Sequence, residues 1–131
     1  MRPKICIVIS TYNEDITNAM CNIAKKELRN SGIKKIDIVK VPGAFEIPVT
    51  ISKLIKKYDA FVAIGCVIKG ETANFDLISR AITDGIMQLS ISHKKPIGNS
   101  IITSFNKRQA EMRFSKGAEA AIAILEVLKI K

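Results

Sequence analysis

Residues 61–76 read FVAIGCVIKGETANFD. Phe61 to Ile68 are apolar or small throughout, with no charge, as in a strand buried on both faces of a sheet. A polar loop with Gly70 follows. Phe75, Ile78, Ile82, Ile86 and Leu89 then recur at three- and four-residue steps, the period of a helix. A doubly buried strand feeding a helix through a glycine loop is half of a parallel βαβ unit.

The same alternation extends both ways. Ile5 to Ile9 is a β-branched run and reads as the first strand; the turn and cap residues of STYNED end it. Ile16, Ala19, Met20, Ile23, Ala24 and Leu28 predict a helix from about Ile16 to Arg29, stopped by Gly32. Ile36 to Val41 is the second strand. PGAFEIP then turns the chain into a helix with Ile47, Ile51, Leu54 and Ile55 on one face. Ile97 to Thr103 is a fourth strand, carrying Gly98 and Asn99. Helical stretches over Lys107 to Phe114 and Lys116 to Lys129 complete the chain. Strands apolar on both faces, alternating with helices, predict a parallel sheet covered by helices on each side. We expect one domain spanning residues 1–131, without repeats or linkers. Its fold is a three-layer α/β/α arrangement with a four-stranded parallel sheet in the order 2-1-3-4, flavodoxin-like.

Composition removes several classes of function. No apolar run approaches the ~20 residues of a membrane span, and MRPKICIVIS reads as a first strand, not a signal peptide. Cys6, Cys21 and Cys66 are odd in number and lack metal-site spacing, so no metal is expected and a reduced, cytoplasmic setting is. The net charge of +9 raises nucleic acid as a partner. The lysines are scattered in pairs, however, and no basic block is interleaved with aromatics. The charge reads as a solvated surface that also favours a phosphorylated substrate.

Ligands of open parallel sheets bind beyond the carboxyl ends of the strands, so STYNED, PGAFE and IKGETAN are the loops of interest. Tyr12 is an aromatic able to stack on a flat ring or simply to pack in its loop. Gly43 and Ala44 leave the backbone open to a ligand or form a helix-start turn. Glu46 can accept hydrogen bonds from ligand hydroxyls or from a helix N-terminus. Gly70, Glu71 and Thr72, ahead of a helix, suit an anion, although such turns are common without one. A receiver-type signalling domain needs an acidic residue at the end of strand three; Val67-Ile68-Lys69 has none.

Tyr12-Asn13-Glu14, VPGAFEIP at Val41 to Pro48, GCVIKGETANFD at Gly65 to Asp76 and KGAEAA at Lys116 to Ala121 occur in order along the chain. Together they resemble the lumazine synthase family. The resemblance implies condensation of 5-amino-6-ribitylaminouracil with 3,4-dihydroxy-2-butanone 4-phosphate to 6,7-dimethyl-8-ribityllumazine, releasing phosphate and water, with no cofactor and no metal. It implies that Tyr12, Asn13, Gly43, Ala44, Phe45 and Glu46 contact the uracil and its ribityl chain. Val67, Ile68, Asn99 and Lys116 would contribute to the same contacts. The phosphate falls to Gly70, Glu71, Thr72 and Arg113; Arg113 follows the family pattern QAxxR at Gln109-Ala110-Arg113, with Arg108 as its rival. It also implies a homopentamer with sites between subunits. The start close to strand one and the short Arg113-to-Lys116 interval lead us to expect a free pentamer and not a shell, and Gly117, Ala118, Ala120 and Ala121 suit close packing in such a ring.

One departure stands out. The family carries a proton-transferring His where this chain has Asn74, and an amide cannot titrate. Asn74 is also a natural helix N-cap. The alternative reading is therefore a weakened or inactive relative that binds lumazine or flavin. His93, at a helix C-terminus, is assigned no catalysis.

Overall fold

The computed structural model describes residues 2–131. Four strands, β1 (Lys4–Ser10), β2 (Lys35–Val41), β3 (Ala60–Ile68) and β4 (Ile97–Ser104), form one sheet in the order β2-β1-β3-β4, every pair parallel. Between and after them run α1 (Glu14–Asn30), α2 (Ile47–Leu54), α3 (Phe75–His93), α4 (Lys107–Glu111) and α5 (Lys116–Leu128). The three-layer fold and the strand order are as expected.

The period of two along β1 splits the core. Ile5, Ile7 and Ile9 join Val62 and Ile64 beneath α1 and α5, while Cys6 and Val8 join Phe61 and Ala63 beneath α2 and α3. All nine residues of β3 are buried. Each fully buried Ile or Val in these layers contributes roughly 1.5–3 kcal/mol relative to exposure.

Being apolar on both faces does not extend to the outer strands. Lys35, Asp37, Ile38 and Lys40 of β2 are exposed, and β4 exposes Asn99 between buried Gly98 and Ser100. Edge strands have one neighbour and incomplete helix cover, so their outer positions meet water.

Helix ends follow local chemistry. Glu14 and Asp15 in the first turn of α1 and Arg29 in its last complement the helix dipole. Gly32, at φ 91°, takes the left-handed position after α1, and Ile33 N–H donates to the Leu28 carbonyl at 3.0 Å, closing a Schellman stop as the sequence predicts. The stretch Lys107 to Phe114 is not one helix. Asn106 Oδ1 accepts from Gln109 N–H at 2.9 Å to start α4, which ends at Glu111; i to i−3 bonds from Arg113 and Lys116 carry the chain tightly into α5.

The last helix sits unusually close to its neighbours. A Cβ on Gly117 would lie 2.3 Å from the Met20 carbonyl oxygen of α1, and one on Gly98 would lie 2.6 Å from the Ala120 carbonyl oxygen. Gly117, Ala120 and Ala121 are buried within the subunit. Close packing of these small residues therefore joins α5 to its own chain.

Candidate functional site

The three loops singled out in the sequence meet at the carboxyl ends of β1, β2 and β3, tied by hydrogen bonds. Thr11 N–H donates to Val41 O at 2.8 Å and Tyr12 N–H to Pro42 O at 3.0 Å, joining the first loop to the second. Asn13 Nδ2 donates to Glu71 Oε1 at 3.0 Å, joining the first to the third. Asn13 reaches that position from the left-handed region, φ 61°, which Asn tolerates better than most residues. Below it, Thr17 Oγ1 donates to the Ser10 carbonyl at 2.8 Å, pinning α1 to the end of β1.

Around this frame the candidate contacts differ in exposure. Tyr12 is 53% exposed and Phe45 61%, two aromatic side chains on adjoining loops. Ala44 is buried, its Cβ against Gly65 of β3. Glu46 Oε1 accepts from Gly43 N–H at 2.9 Å, which fixes the turn and leaves Oε2 for another donor. Val67 and Ile68 have buried side chains at the end of β3, so only their main chain is suited to meet a ligand.

The third loop departs from its simplest reading. Lys69–Glu71 form a separate 3₁₀ turn, and Thr72 is extended before α3 begins at Phe75. The amides of Gly70, Glu71 and Thr72 therefore belong to that turn and not to the first turn of α3. Asn74 occupies the N-cap position of α3, yet its side chain makes no capping bond; Thr72 Oγ1 instead accepts from Asn74 N–H at 3.3 Å. The expected cap role is therefore not realised, and the amide of Asn74 is exposed beside the loop.

Arg113 lies at the end of β4. Its Nη1 donates to the Thr103 carbonyl at 3.0 Å, and Thr103 is the register partner of Val67. That bond uses one of five guanidinium N–H groups. Arg108 is exposed on α4. Lys116 Nζ lies 3.4 Å from Glu119 Oε1 at the start of α5. Asn99 is set apart: it pairs with Ala63, five residues before the end of β3, so it sits about 16 Å below the loops of its own chain. Its place is along an open groove of about 660 Å³ beside the free edge of β4, lined also by Ile91, Ile97, Val127 and Ile130.

The sequence reading left out the fourth strand-exit loop. Phe105, 64% exposed, lies under Lys69 Nζ at 5.4 Å from the ring centroid, and its carbonyl oxygen is the nearest atom to an added Cβ at Gly70. Lys107 Nζ to Asp15 Oδ2, 3.1 Å, ties α4 to α1 and holds the Asp15 carboxyl below its usual range. A lone aromatic in SFN after an apolar strand was the available signal. All three cysteines are free and buried; burial, with Glu71 and Asp15 nearby, pushes the Cys66 thiol up to about 11, unsuited to a nucleophile. Among the described residues no His/Cys/Asp/Glu group is placed to hold a metal, and no helix is long and apolar enough to cross a membrane.

A family model described as 6,7-dimethyl-8-ribityllumazine synthase matches residues 2–131. Proteins of that name from Polaromonas sp. and Albidiferax ferrireducens are 39% and 40% identical, each over 97% of this chain and over 86% and 84% of their own lengths. One from Leuconostoc mesenteroides is 38% identical over 97% of this chain and 87% of its own. A solved structure of a flavone reductase aligns at a TM-score of 0.48 with 9% identity; the chain covers 65% of that protein, and the likeness carries no weight.

Proposed function

The chain belongs to the 6,7-dimethyl-8-ribityllumazine synthase family, and from that premise we propose that it makes 6,7-dimethyl-8-ribityllumazine in riboflavin biosynthesis. The substrates are 5-amino-6-ribitylaminouracil and 3,4-dihydroxy-2-butanone 4-phosphate, and phosphate and water are released. The observation that carries this reading is the match along residues 2–131, which takes in all three tied loops.

The uracil supplies its own amine nucleophile, so the protein's main task is to hold two reactants together; good orientation alone supplies up to ~7–11 kcal/mol of a barrier. In our reading Tyr12 and Phe45 flank the ring, Asn13 and the Gly43–Glu46 turn meet the ribityl chain, and the main chain of Val67 and Ile68 meets the pyrimidine edge. The Gly70–Thr72 turn and Arg113 hold the phosphate and favour its departure. Two features support that: the Glu71 carboxylate is drawn toward Asn13, and Arg113 has N–H groups to spare. Asn74 donates and accepts hydrogen bonds beside the reacting carbonyl but moves no proton.

Asn99, Arg113 and Lys116 join the site from a second copy, in a homopentamer free of any larger shell. The distance between Asn99 and the loops of its own chain supports this, as do Leu77, Met87 and Ile91, large apolar side chains exposed on α3. The same reading makes residues 1–131 one domain working in the cytoplasm. The test is to mix the two substrates with the purified protein and follow lumazine fluorescence. Product forming faster than in buffer is expected; tight lumazine binding without turnover would make the chain a binder only.

A further inference from the structure

The amino-terminal ends of the strands, opposite the loops, carry a second concentration of charge. Lys4 opens β1, Lys35 opens β2, and the two are register partners. Lys34 precedes β2, and Lys56 and Lys57 lie in the turn before β3. With Asp37 and Tyr58 these lysines line a groove of about 740 Å³. All five lysines are exposed, and among the described residues none pairs with a carboxylate.

The nearby acids are already committed. Asp37 Oδ2 accepts from the Tyr58 hydroxyl at 2.6 Å, which pushes the phenol up to about 12 and keeps it a neutral donor. Asp59 Oδ2 accepts from the Lys4 backbone N–H at 2.7 Å. Those bonds leave both carboxylates charged, but only Asp37 lines the groove, so five lysines face one carboxylate; the excess positive charges repel one another, and a multivalent anion relieves that repulsion. Lysines present mobile point charges and not the fixed fork of arginine, which suits a flexible chain of phosphates better than a single planar carboxylate. Nothing in the groove offers a platform for a base: the Tyr58 ring packs against Phe61, centroids 5.7 Å apart at 68°.

We propose that the lysine groove across the amino-terminal ends of β1, β2 and β3 binds a linear polyphosphate chain. The inference is independent of the reaction at the opposite end of the sheet. Calorimetric titration with inorganic tripolyphosphate tests it. Binding should weaken severalfold between 50 and 200 mM salt, as screening of several charge contacts requires. Lys35→Gln with Lys57→Gln should weaken it at least about fivefold, each lost contact removing part of the electrostatic attraction, and leave lumazine formation unchanged. Lys26→Gln with Lys129→Gln, outside the groove, should bind like wild type, and so should Arg113→Ala. Equal loss in the Lys26/Lys129 variant would overturn the proposal by making the effect one of net charge. Loss only in Arg113→Ala would overturn it by moving the anion to the strands' carboxyl ends. A single-stranded oligonucleotide of equal charge binding more tightly than tripolyphosphate would overturn it in favour of nucleic acid.

Discussion

Asn74 stands at the head of α3 with an exposed amide that neither caps the helix nor is able to titrate. If the family's histidine moves protons at this point, restoring it should restore part of the ~10²–10⁴-fold that general acid–base catalysis contributes. Asn74→His is expected to raise kcat about tenfold or more and to introduce a pH dependence near neutrality; an inert wild type with an inert Asn74→His would end the enzyme reading. The buried thiols make a second residue-scale prediction. Burial, with Asp37 nearby, pushes Cys6 up to about 12 from an ordinary 9.0. A folded value above the unfolded one means stability is intact below pH 9 and declines as pH rises from there toward 12. Native protein at pH 8 should therefore react slowly with a thiol reagent and quickly once unfolded, whereas fast reaction of the native form would show that a thiol is accessible after all. Sequence exposed the identity of both features, but not that Asn74 leaves its capping bond unmade, because that depends on where the 3₁₀ turn delivers the backbone.

At the scale of elements, the periodic segments were legible and the boundaries set by side-chain bonds were not. Doubly apolar β1 and β3, the stop at Gly32 and the three loops at the strands' carboxyl ends all follow from local pattern. The exposure of Ile38 on β2 does not: Lys35, Asp37 and Lys40 mark water-facing positions in KIDIVKV, but an exposed isoleucine between them follows only from the strand's place at the sheet edge. Gln109, read in the sequence as part of an arginine-bearing motif, has a capping role: its N–H donates to Asn106 Oδ1, and its Oε1 accepts from Phe105 N–H at 3.0 Å. Arg113 is thereby held at the end of β4. Arg113→Ala should raise KM for the phosphorylated ketone far more than for the uracil; a larger effect from Arg108→Ala would shift the phosphate contact to that residue. The α1–α5 contact sets a third test. Gly117→Ala drives a methyl against rigid backbone and should cost about 2 kcal/mol or more, read as a lowered urea midpoint. An unchanged midpoint would mean that the two helices separate freely.

For the whole molecule the question is how many copies make a site. One chain supplies loops from β1, β2 and β3 in one place and Asn99 well below them. Light scattering should report five chains per particle. A monomer would remove the roles given to Asn99, Arg113 and Lys116, and a much larger particle would show that pentamers associate further. The packing of α5 on α1 also bears on how the chain is made. The stripe of α1 around Met20 has no complete cover until residues 116–128 lie against it. On a ribosome, then, β1, α1 and β2 emerge as a unit whose outer face is still bare, and it stays bare until α5, which starts at Lys116, follows about 85 residues of synthesis after α1 ends at Asn30. The first helix must wait for α5, so nascent chains halted before Lys116 should depend on chaperones to stay unaggregated.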